Sequence, residues 1–132
     1  MKLPPVSDQP LDSDQRLARL GEARNEFLNT LIGDRGVYHL LRTDTKVDVG
    51  YWTGGRRVWS CLLDDELLLF ALGRRSFVER ISFEDLGESQ YNHVTGEIVL
   101  APIEITKVQT LRVPPLAALE MLTIIRNEDI RR

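Results

Sequence analysis

The first patterned segment of the chain, residues 13–32, has the periodicity of an amphipathic helix. Its large apolar side chains recur at helical spacing on roughly one face, whereas arginines and glutamates occupy the other. The apolar positions are Leu17, Leu20, Phe27, Leu28 and Leu31. Asp12 or Ser13 can act as the N-cap, so the pattern predicts a helix over residues 12–33. Gly21, inside this stretch, weakens the helix.

Between residues 37 and 113 the pattern changes to short apolar runs that are separated by turn residues. Such a pattern is typical of antiparallel strands joined by hairpins. The candidate strands are residues 37–42, 46–53, 57–63, 67–73, 77–83, 90–94, 97–101 and 107–113. Gly54-Gly55 and Thr95-Gly96 are predicted to form tight turns between neighbouring strands.

One pair of candidate strands is apolar on both faces and flanks the acidic triplet Asp64-Asp65-Glu66. The runs before and after the triplet each present large apolar side chains alternately to two faces. We therefore predict a central hairpin that is covered on both sides. The three acids are interpreted as its solvated turn, because three consecutive carboxylates do not supply the spread of ligands that a calcium loop needs.

The end of the chain combines a proline pair with a second amphipathic helix. Pro114-Pro115 ends the preceding strand, and proline is tolerated in the first turn of a helix. Apolar positions cover one broad face of residues 114–127, which predicts a helix that lies on a sheet. At the other end of the chain, residues 1–11 contain three prolines and are expected to form a flexible leader.

The order of these elements resembles the pleckstrin-homology-like (PH-like) superfold, and in particular the small bacterial PH-like domains. The likeness rests on WSCLLDDELLLFAL followed by RRSFVERISFEDLGESQYN, and on HVTGEIVLAP with LRVPPLAALEMLTII. It implies an α+β fold that is mainly β, with a curved antiparallel sheet or partly open barrel of about seven strands. The C-terminal helix would cap that sheet, and the PH-like domain would span residues 37–130.

The chain departs from the PH-like pattern at the N-terminal helix, in the strand count and in one motif. The N-terminal helix lies outside the basic fold. The chain has eight candidate strands where the family has seven, and the surplus strand is expected to be either 37–42 or 107–113. Phosphoinositide-binding members carry a lysine and an R-x-R pair near the first hairpin, whereas this chain has Lys46 and adjacent Arg56-Arg57. Neighbours on a strand point to opposite faces, so that headgroup site is not carried over. A helix on an open sheet is the alternative fold.

Composition and charge fit one globular domain inside the cell. The chain has 132 residues, of which 42% are hydrophobic and 28% charged, and this suits a single core. A net charge of −3 argues against wholesale nucleic-acid binding, which needs a concentrated basic surface. Cys61 is the only cysteine, so no intramolecular disulfide can form. The apolar runs of the sequence are far shorter than the roughly 20 residues that a membrane-spanning helix needs. We expect a cytoplasmic protein without a transmembrane segment.

No recognisable catalytic or cofactor motif is present, so we expect neither an enzyme nor a bound cofactor or metal. His39 and His93, the only histidines, lack the spacing of a zinc site. A triad of Cys61, His93 and an aspartate can be written down, since triads are defined in space. However, Cys61 lies mid-strand between apolar neighbours, where a cysteine is commonly buried and inert.

Arginines near the predicted turns are the main candidates for binding. If the hairpins stack in register, these arginines could meet on one rim and form a site for phosphate or carboxylate. The candidates are Arg56, Arg57, Arg74, Arg75 and Arg80. Ordinary solvated turns, balanced by nearby acids, are the favoured interpretation of these arginines. Trp52 could join a recognition surface, although packing in the core or against a helix is the favoured interpretation.

Two functions remain after these exclusions. The favoured one is a non-catalytic binding or scaffold module that acts through protein–protein contacts, including self-association. It follows from the missing catalytic motifs and from the N-terminal apolar stripe, which must be buried on its own domain or on a partner. The alternative is a binder of an anionic or phosphorylated ligand, or of a membrane headgroup, through the arginine rim.

Overall fold

The computed structural model describes residues 9–52, 54–100 and 107–126, and it confirms an α+β architecture. Three helices accompany two antiparallel sheets, ordered β1-β2-β3-β4 and β5-β6-β7. The helices are α1 (Ser13–Leu20), α2 (Glu22–Ile32) and α3 (Pro115–Arg126). The strands are β1 (His39–Val47), β2 (Arg56–Leu62), β3 (Glu66–Ala71), β4 (Phe77–Ser82), β5 (Gln90–Asn92), β6 (Glu97–Val99) and β7 (Thr110–Arg112). Within these ranges the two sheets stay separate and form no closed barrel.

The predicted N-terminal helix is two helices, because the chain breaks at Gly21. Asp12 caps α1 in a capping box: its side chain accepts from the Gln15 amide at 2.7 Å, and the Gln15 side chain accepts from the Asp12 amide at 2.9 Å. Gly21 then adopts φ 79° and ψ 172°, a conformation that is open essentially to glycine alone. The expectation of one continuous helix was therefore wrong, and the break turns α2 onto a new axis.

The first sheet is covered on both faces, as the alternating pattern of the central hairpin predicts. On one face, α1 and α2 pack against the sheet in a helix-side core, which buries Leu20 and Leu28 of the N-terminal apolar stripe and leaves Leu17 exposed. This core contains Leu20, Leu28, Ile32, Val37, Leu40, Trp59, Cys61, Leu63, Leu68 and Phe70. On the other face, an inter-sheet core joins the second sheet and α3; it includes Leu62, Leu67, Leu69, Ile81, Ile98, Leu111, Met121 and Ile125.

Seven strands are described, one fewer than the eight candidates. The predicted strands 37–42 and 46–53 are wrong as separate elements, since residues 39–47 form the single strand β1, and residues 48–52, 54 and 55 lie outside the strands. Gly54-Gly55 therefore precedes β2 in a longer connection from β1 and does not form a tight hairpin turn. An irregularity in the β1–β2 pairing lies between Arg42 and Lys46, and it allows β1 to continue past the point where the pattern changes.

The two sheets meet where β1 passes β7. Thr45, within the irregular part of β1, donates its hydroxyl to the Thr110 carbonyl at 3.4 Å and accepts from the Arg112 amide at 2.8 Å. The C-terminal helix spans Pro115–Arg126 and packs on the inter-sheet core, close to the predicted 114–127. None of the helices in the described ranges has the length and apolar character to span a membrane.

Parts of several predictions lie outside the described residues. They are residues 1–8 of the expected leader, residue 53 of the candidate strand 46–53, residue 101 of the candidate strand 97–101 and residue 127 of the predicted C-terminal helix. Residues 53, 101–106 and 127–130 of the expected PH-like domain also lie outside the described ranges.

The acidic triplet forms the predicted turn, and it also holds two arginines. Asp64 and Asp65 connect β2 to β3, and Glu66 begins β3. Arg35, which follows α2, pairs with all three carboxylates, with nitrogen–oxygen distances of 3.3 Å to Asp64 and 3.0 Å to Glu66. Arg80 on β4 approaches Glu66 at 2.6 Å. These contacts offset most of the negative charge of the turn and tie the end of the helical layer to the first sheet.

Candidate functional site

Five cationic side chains line one cleft where the β1–β2 hairpin meets the start of α2. We call it the basic cleft. Its volume is about 290 Å³, and no carboxylate is among its lining residues. The lining consists of Arg24, Arg42, Lys46, Gly55, Arg56, Arg57, Trp59 and Leu72. A surface concavity with this charge attracts anions, and its polar groups converge on one small volume.

The register of the β1–β2 hairpin explains why cations converge there. Arg42 is the cross-strand partner of Trp59, and Lys46 is the partner of Arg57. Cross-strand partners share a face of the sheet, and Trp59 belongs to the helix-side core. Arg57 is two residues from Trp59 on β2 and shares its face. Arg42, Lys46 and Arg57 therefore all lie on the helix-side face of the sheet, in a part that the helices do not cover. The bulge between the two pairs keeps Arg42 and Lys46 on this same face.

Glycine 55 forms part of the cleft wall because only glycine fits there. A β-carbon on this residue would lie 2.5 Å from the carbonyl oxygen of Val47, far inside normal contact. The backbone of residue 55 consequently packs directly on the end of β1 and brings the start of β2, with Arg56 and Arg57, against Lys46.

The positive charge of the basic cleft is only partly neutralised. Arg57 has one acidic neighbour, Asp44, at 3.7 Å; both side chains are about half exposed, so this pair is weak. For the side chains of Arg42 and Lys46 the described part of the chain supplies no ion pair or hydrogen bond. An incoming anion would therefore meet at least two cations that need not give up a partner.

Two of the cations are held by aromatic rings. The Arg24 guanidinium lies 5.7 Å from the Trp59 ring centroid, and its Nη1 donates to the Leu20 carbonyl at 3.2 Å. The Arg56 guanidinium lies 4.7 Å from the centroid of Tyr51. Such cation–π contacts leave the charge intact while they restrict the side chain, which lowers the entropy lost when a ligand binds.

No protein-family model, curated protein or solved structure matches the chain. The basic cleft and the side chains that line it are therefore the features of the molecule that bear on its function.

The structure separates the five arginines that the sequence predicts for one rim. Arg56 and Arg57 line the basic cleft. Arg74 and Arg75 lie in the loop between β3 and β4, outside the lining, where Arg75 approaches Asp48 at 3.4 Å. Arg80 is far along β4, opposite Leu68 in register, and is paired with the acidic turn.

Sequence reasoning missed Arg24 and Arg42, and it noted Lys46 only as a partial match to a lipid-binding motif. The spacing of Arg42 and Lys46 could have placed these two residues together, because residues four apart on one continuous strand lie on the same face. The predicted break between residues 42 and 46 hid this relation. Arg24 offers no comparable signal, because only the packing of α2 on the sheet brings it to the cleft.

The two tryptophans occupy contrasting environments. Trp59 is buried in the helix-side core, as the sequence indicates. Trp52 lies between β1 and β2 with 93% of its surface exposed, so the favoured expectation that it packs in the core or against a helix was wrong. An indole this exposed is available to a partner or a ligand, and it does not stabilise the fold by burial.

The remaining nucleophile and metal candidates lack support in the geometry. Burial raises the pKa of the Cys61 thiol to about 12, so almost no reactive thiolate is present at neutral pH. His93 and Glu88 line a groove of about 470 Å³, but no hydrogen bond or ion pair between them is found in the described ranges. The same ranges contain no group of three or more His, Cys, Asp or Glu side chains that could hold a metal ion.

His39 occupies a partly buried position between β1 and α3. Its Nε2 lies 3.5 Å from Oε2 of Glu120. Burial lowers the pKa of His39 below its usual value of 6.5; Arg19 acts in the same direction and Glu120 in the opposite one. The Nδ1 atom is buried without a hydrogen-bond partner among the described residues, which also favours the uncharged ring.

The stability of the protein is expected to rise as the pH is raised to 6.5. Below that value the unfolded chain binds a proton at His39 more readily than the folded protein does, so this contribution is complete above 6.5 and declines as the pH falls. Urea denaturation across this range should show a flatter dependence of the unfolding free energy on pH for His39→Gln. His93→Gln, which removes the other histidine, is the matched control. An unchanged slope in His39→Gln would contradict this assignment.

Proposed function

We propose that the protein binds a small phosphate-bearing anion in the basic cleft. The observation that carries this proposal is the convergence of five cations on about 290 Å³ with no carboxylate in the lining. Arginine forks and a lysine ammonium are suited to phosphate oxygens, and hydrogen bonds to an ionised group are about twice as strong as neutral ones. The unpaired Arg42 and Lys46 supply the main attraction.

The N-terminal helices favour this proposal over a scaffold function. The favoured expectation was a module that acts through protein–protein contacts, including self-association, with the N-terminal apolar stripe buried on its own domain or on a partner. Leu20 and Leu28 of that stripe are buried on the chain's own sheet in the helix-side core, whereas Leu17 is 41% exposed. The stripe therefore gives less reason to expect a second copy at this face, and the cationic cleft offers a specific chemistry for a ligand.

The size and setting of the basic cleft favour a small ligand. Its volume lies near the lower end of the range for small-molecule sites, about 300–1,000 Å³. The net charge of the whole chain is −3, so attraction for anions is local to the cleft and does not extend over a broad surface.

A titration of the full-length chain with inorganic pyrophosphate tests the proposed function. Calorimetry at low ionic strength should give saturable binding, and the affinity should fall as salt is raised because the cleft is open to solvent. Vesicles with anionic headgroups, added in co-sedimentation, separate a membrane-bound phosphate from a free one. Absence of heat, of thermal stabilisation and of vesicle binding at low salt would refute the proposal.

We also propose that the chain has a PH-like fold over residues 37–126. Support comes from the division of its strands into sheets of four and three and from the C-terminal helix, which packs on the inter-sheet core. An experimentally determined structure in which β1 and β7 are not neighbours would refute the likeness, since the contact through Thr45 joins the two sheets.

Protein–protein contact is a second candidate function, and the exposure of Trp52 is the observation that favours it. Exposed aromatic side chains beside arginine are typical of recognition surfaces. Light scattering on the wild type and on Trp52→Ala, over a range of concentrations, measures self-association directly. A monomer at all concentrations would refute the self-association version of this candidate.

A further inference from the structure

A second cleft adjoins the basic cleft at Arg24. Its volume is about 380 Å³, and it shares both Arg24 and Leu72 with the basic cleft. Its other lining residues are Leu20, Gly21, Glu22 and Ala23, which come from the junction of α1 and α2. The two clefts therefore adjoin at Arg24 and Leu72, with the β1–β2 hairpin on one side and the α1–α2 junction at Gly21 on the other.

The two clefts differ in charge. The basic cleft has five cations and no acid, whereas the second cleft has Arg24 and the carboxylate of Glu22 beside small and apolar groups. A phosphate group would be repelled by Glu22, so the second cleft suits an uncharged part of a ligand. A longer polyphosphate, which needs cations along its whole length, does not match this arrangement.

Arg24 is prepared to stack against a planar ring. Trp59 lies on one side of its guanidinium, and the hydrogen bond to the Leu20 carbonyl restrains its orientation. Arg24 nevertheless stays exposed and lines the second cleft, so a ligand in that cleft can reach its side chain. Guanidinium planes stack on aromatic rings, including nucleobases, and a restrained guanidinium loses little entropy when it does so.

We propose that the anion is a nucleotide, with its phosphate in the basic cleft and its base stacked on Arg24 over the second cleft. This inference rests on the proposed function, since it names the ligand class of the same site. A free mononucleotide fits better than a nucleic-acid strand, because the unneutralised cations are confined to one cleft and the chain as a whole is acidic.

Adenosine 5′-monophosphate and ribose 5-phosphate form the pair of ligands that tests the inference. They share the phosphate and the sugar, so a difference in affinity measures the base. Calorimetric titration of the full-length wild type should show adenosine monophosphate binding about tenfold more tightly, as expected for one stacked base. Arg24→Lys keeps the charge but loses the planar fork, and because Arg24 also lines the basic cleft both ligands should bind more weakly. Adenosine monophosphate should lose more affinity than ribose 5-phosphate, so that their ratio approaches one.

Lys46→Ala is the matched control variant, because it removes a cation of the basic cleft and leaves Arg24 in place. It should weaken both ligands equally and preserve their ratio. Thermal melting of each variant confirms that it is folded before it is titrated.

The outcomes separate the inference from the function on which it rests. Equal affinity for the two ligands in the wild type would overturn the nucleotide inference and leave phosphate binding intact. Failure of both ligands and of pyrophosphate to bind would overturn both proposals. If the ratio of the affinities for adenosine monophosphate and ribose 5-phosphate is unchanged in Arg24→Lys, the role of Arg24 is overturned. If a short single-stranded oligonucleotide binds much more tightly than adenosine monophosphate, the choice of a mononucleotide is overturned.

Discussion

Replacement of Leu28 by alanine is expected to lower the free energy of unfolding by about 2–5 kcal/mol. Leu28 lies on α2, is fully buried and packs in the helix-side core against the first sheet. Truncation to alanine removes its transfer free energy and leaves a cavity between the helical layer and the sheet. Chemical denaturation, monitored by far-ultraviolet circular dichroism, measures the change.

Leu17→Ala supplies the matched control for this prediction. Leu17 is the same residue type in the same helical layer, but 41% of its surface is exposed, so its loss should cost about 1 kcal/mol or less. Equal effects of the two substitutions would contradict the packing of α2 on the sheet. The comparison thus tests whether the N-terminal helices are part of the domain's core or an appendage that could be removed.

The double substitution Arg42→Ala/Lys46→Ala is expected to lower the affinity for pyrophosphate by about 100-fold. Each hydrogen bond to a charged group contributes about 1.5–3 kcal/mol, and about 1.4 kcal/mol corresponds to tenfold in affinity. Both side chains lie on the open surface of the β1–β2 hairpin, where the described chain gives them no ion-pair partner, so their removal should leave the fold intact. Calorimetric titration of the variant and the wild type gives the ratio of affinities.

Arg74→Ala/Arg75→Ala removes the same net charge from the neighbouring loop and is the control for that experiment. Neither residue lines the basic cleft, and Arg75 is largely exposed beside Asp48. At physiological salt the screening length is about 8 Å, so we expect an effect of about threefold or less. A loss as large as that of the cleft variant would place the anion on the rim that the sequence predicts, and would refute the basic cleft.

Local periodicity was sufficient to predict the layers around the central hairpin. Leu67 and Leu69 face the inter-sheet core, while Leu68 and Phe70 face the helix-side core, as the strict alternation of a strand requires. A strand with two apolar faces must be covered on both, and the chain has amphipathic helices at both ends to help do so. The layers on both faces of the central hairpin therefore follow from the alternation of apolar side chains along a strand and from the need to bury them.

The candidate site was predicted only in part, because its cations come from three separate segments. Arg56 and Arg57 follow a glycine pair and were recognised as possible ligands from their neighbours alone. Arg42 and Lys46 were assigned to different strands, since a bulge interrupts the pairing without a clear mark in the sequence. Arg24 reaches the cleft only through the turn of the backbone at Gly21 and the packing of α2.

The sequence by itself determined the α+β class, the central two-faced hairpin with its acidic turn, and the C-terminal helix. These features depend on residue spacing and on turn and capping preferences, which act over a few residues. Only the tertiary structure decided which face each helix covers, which arginines converge, and that Trp52 is exposed. Convergence and exposure depend on contacts between distant segments, and those contacts are set by how the layers pack together.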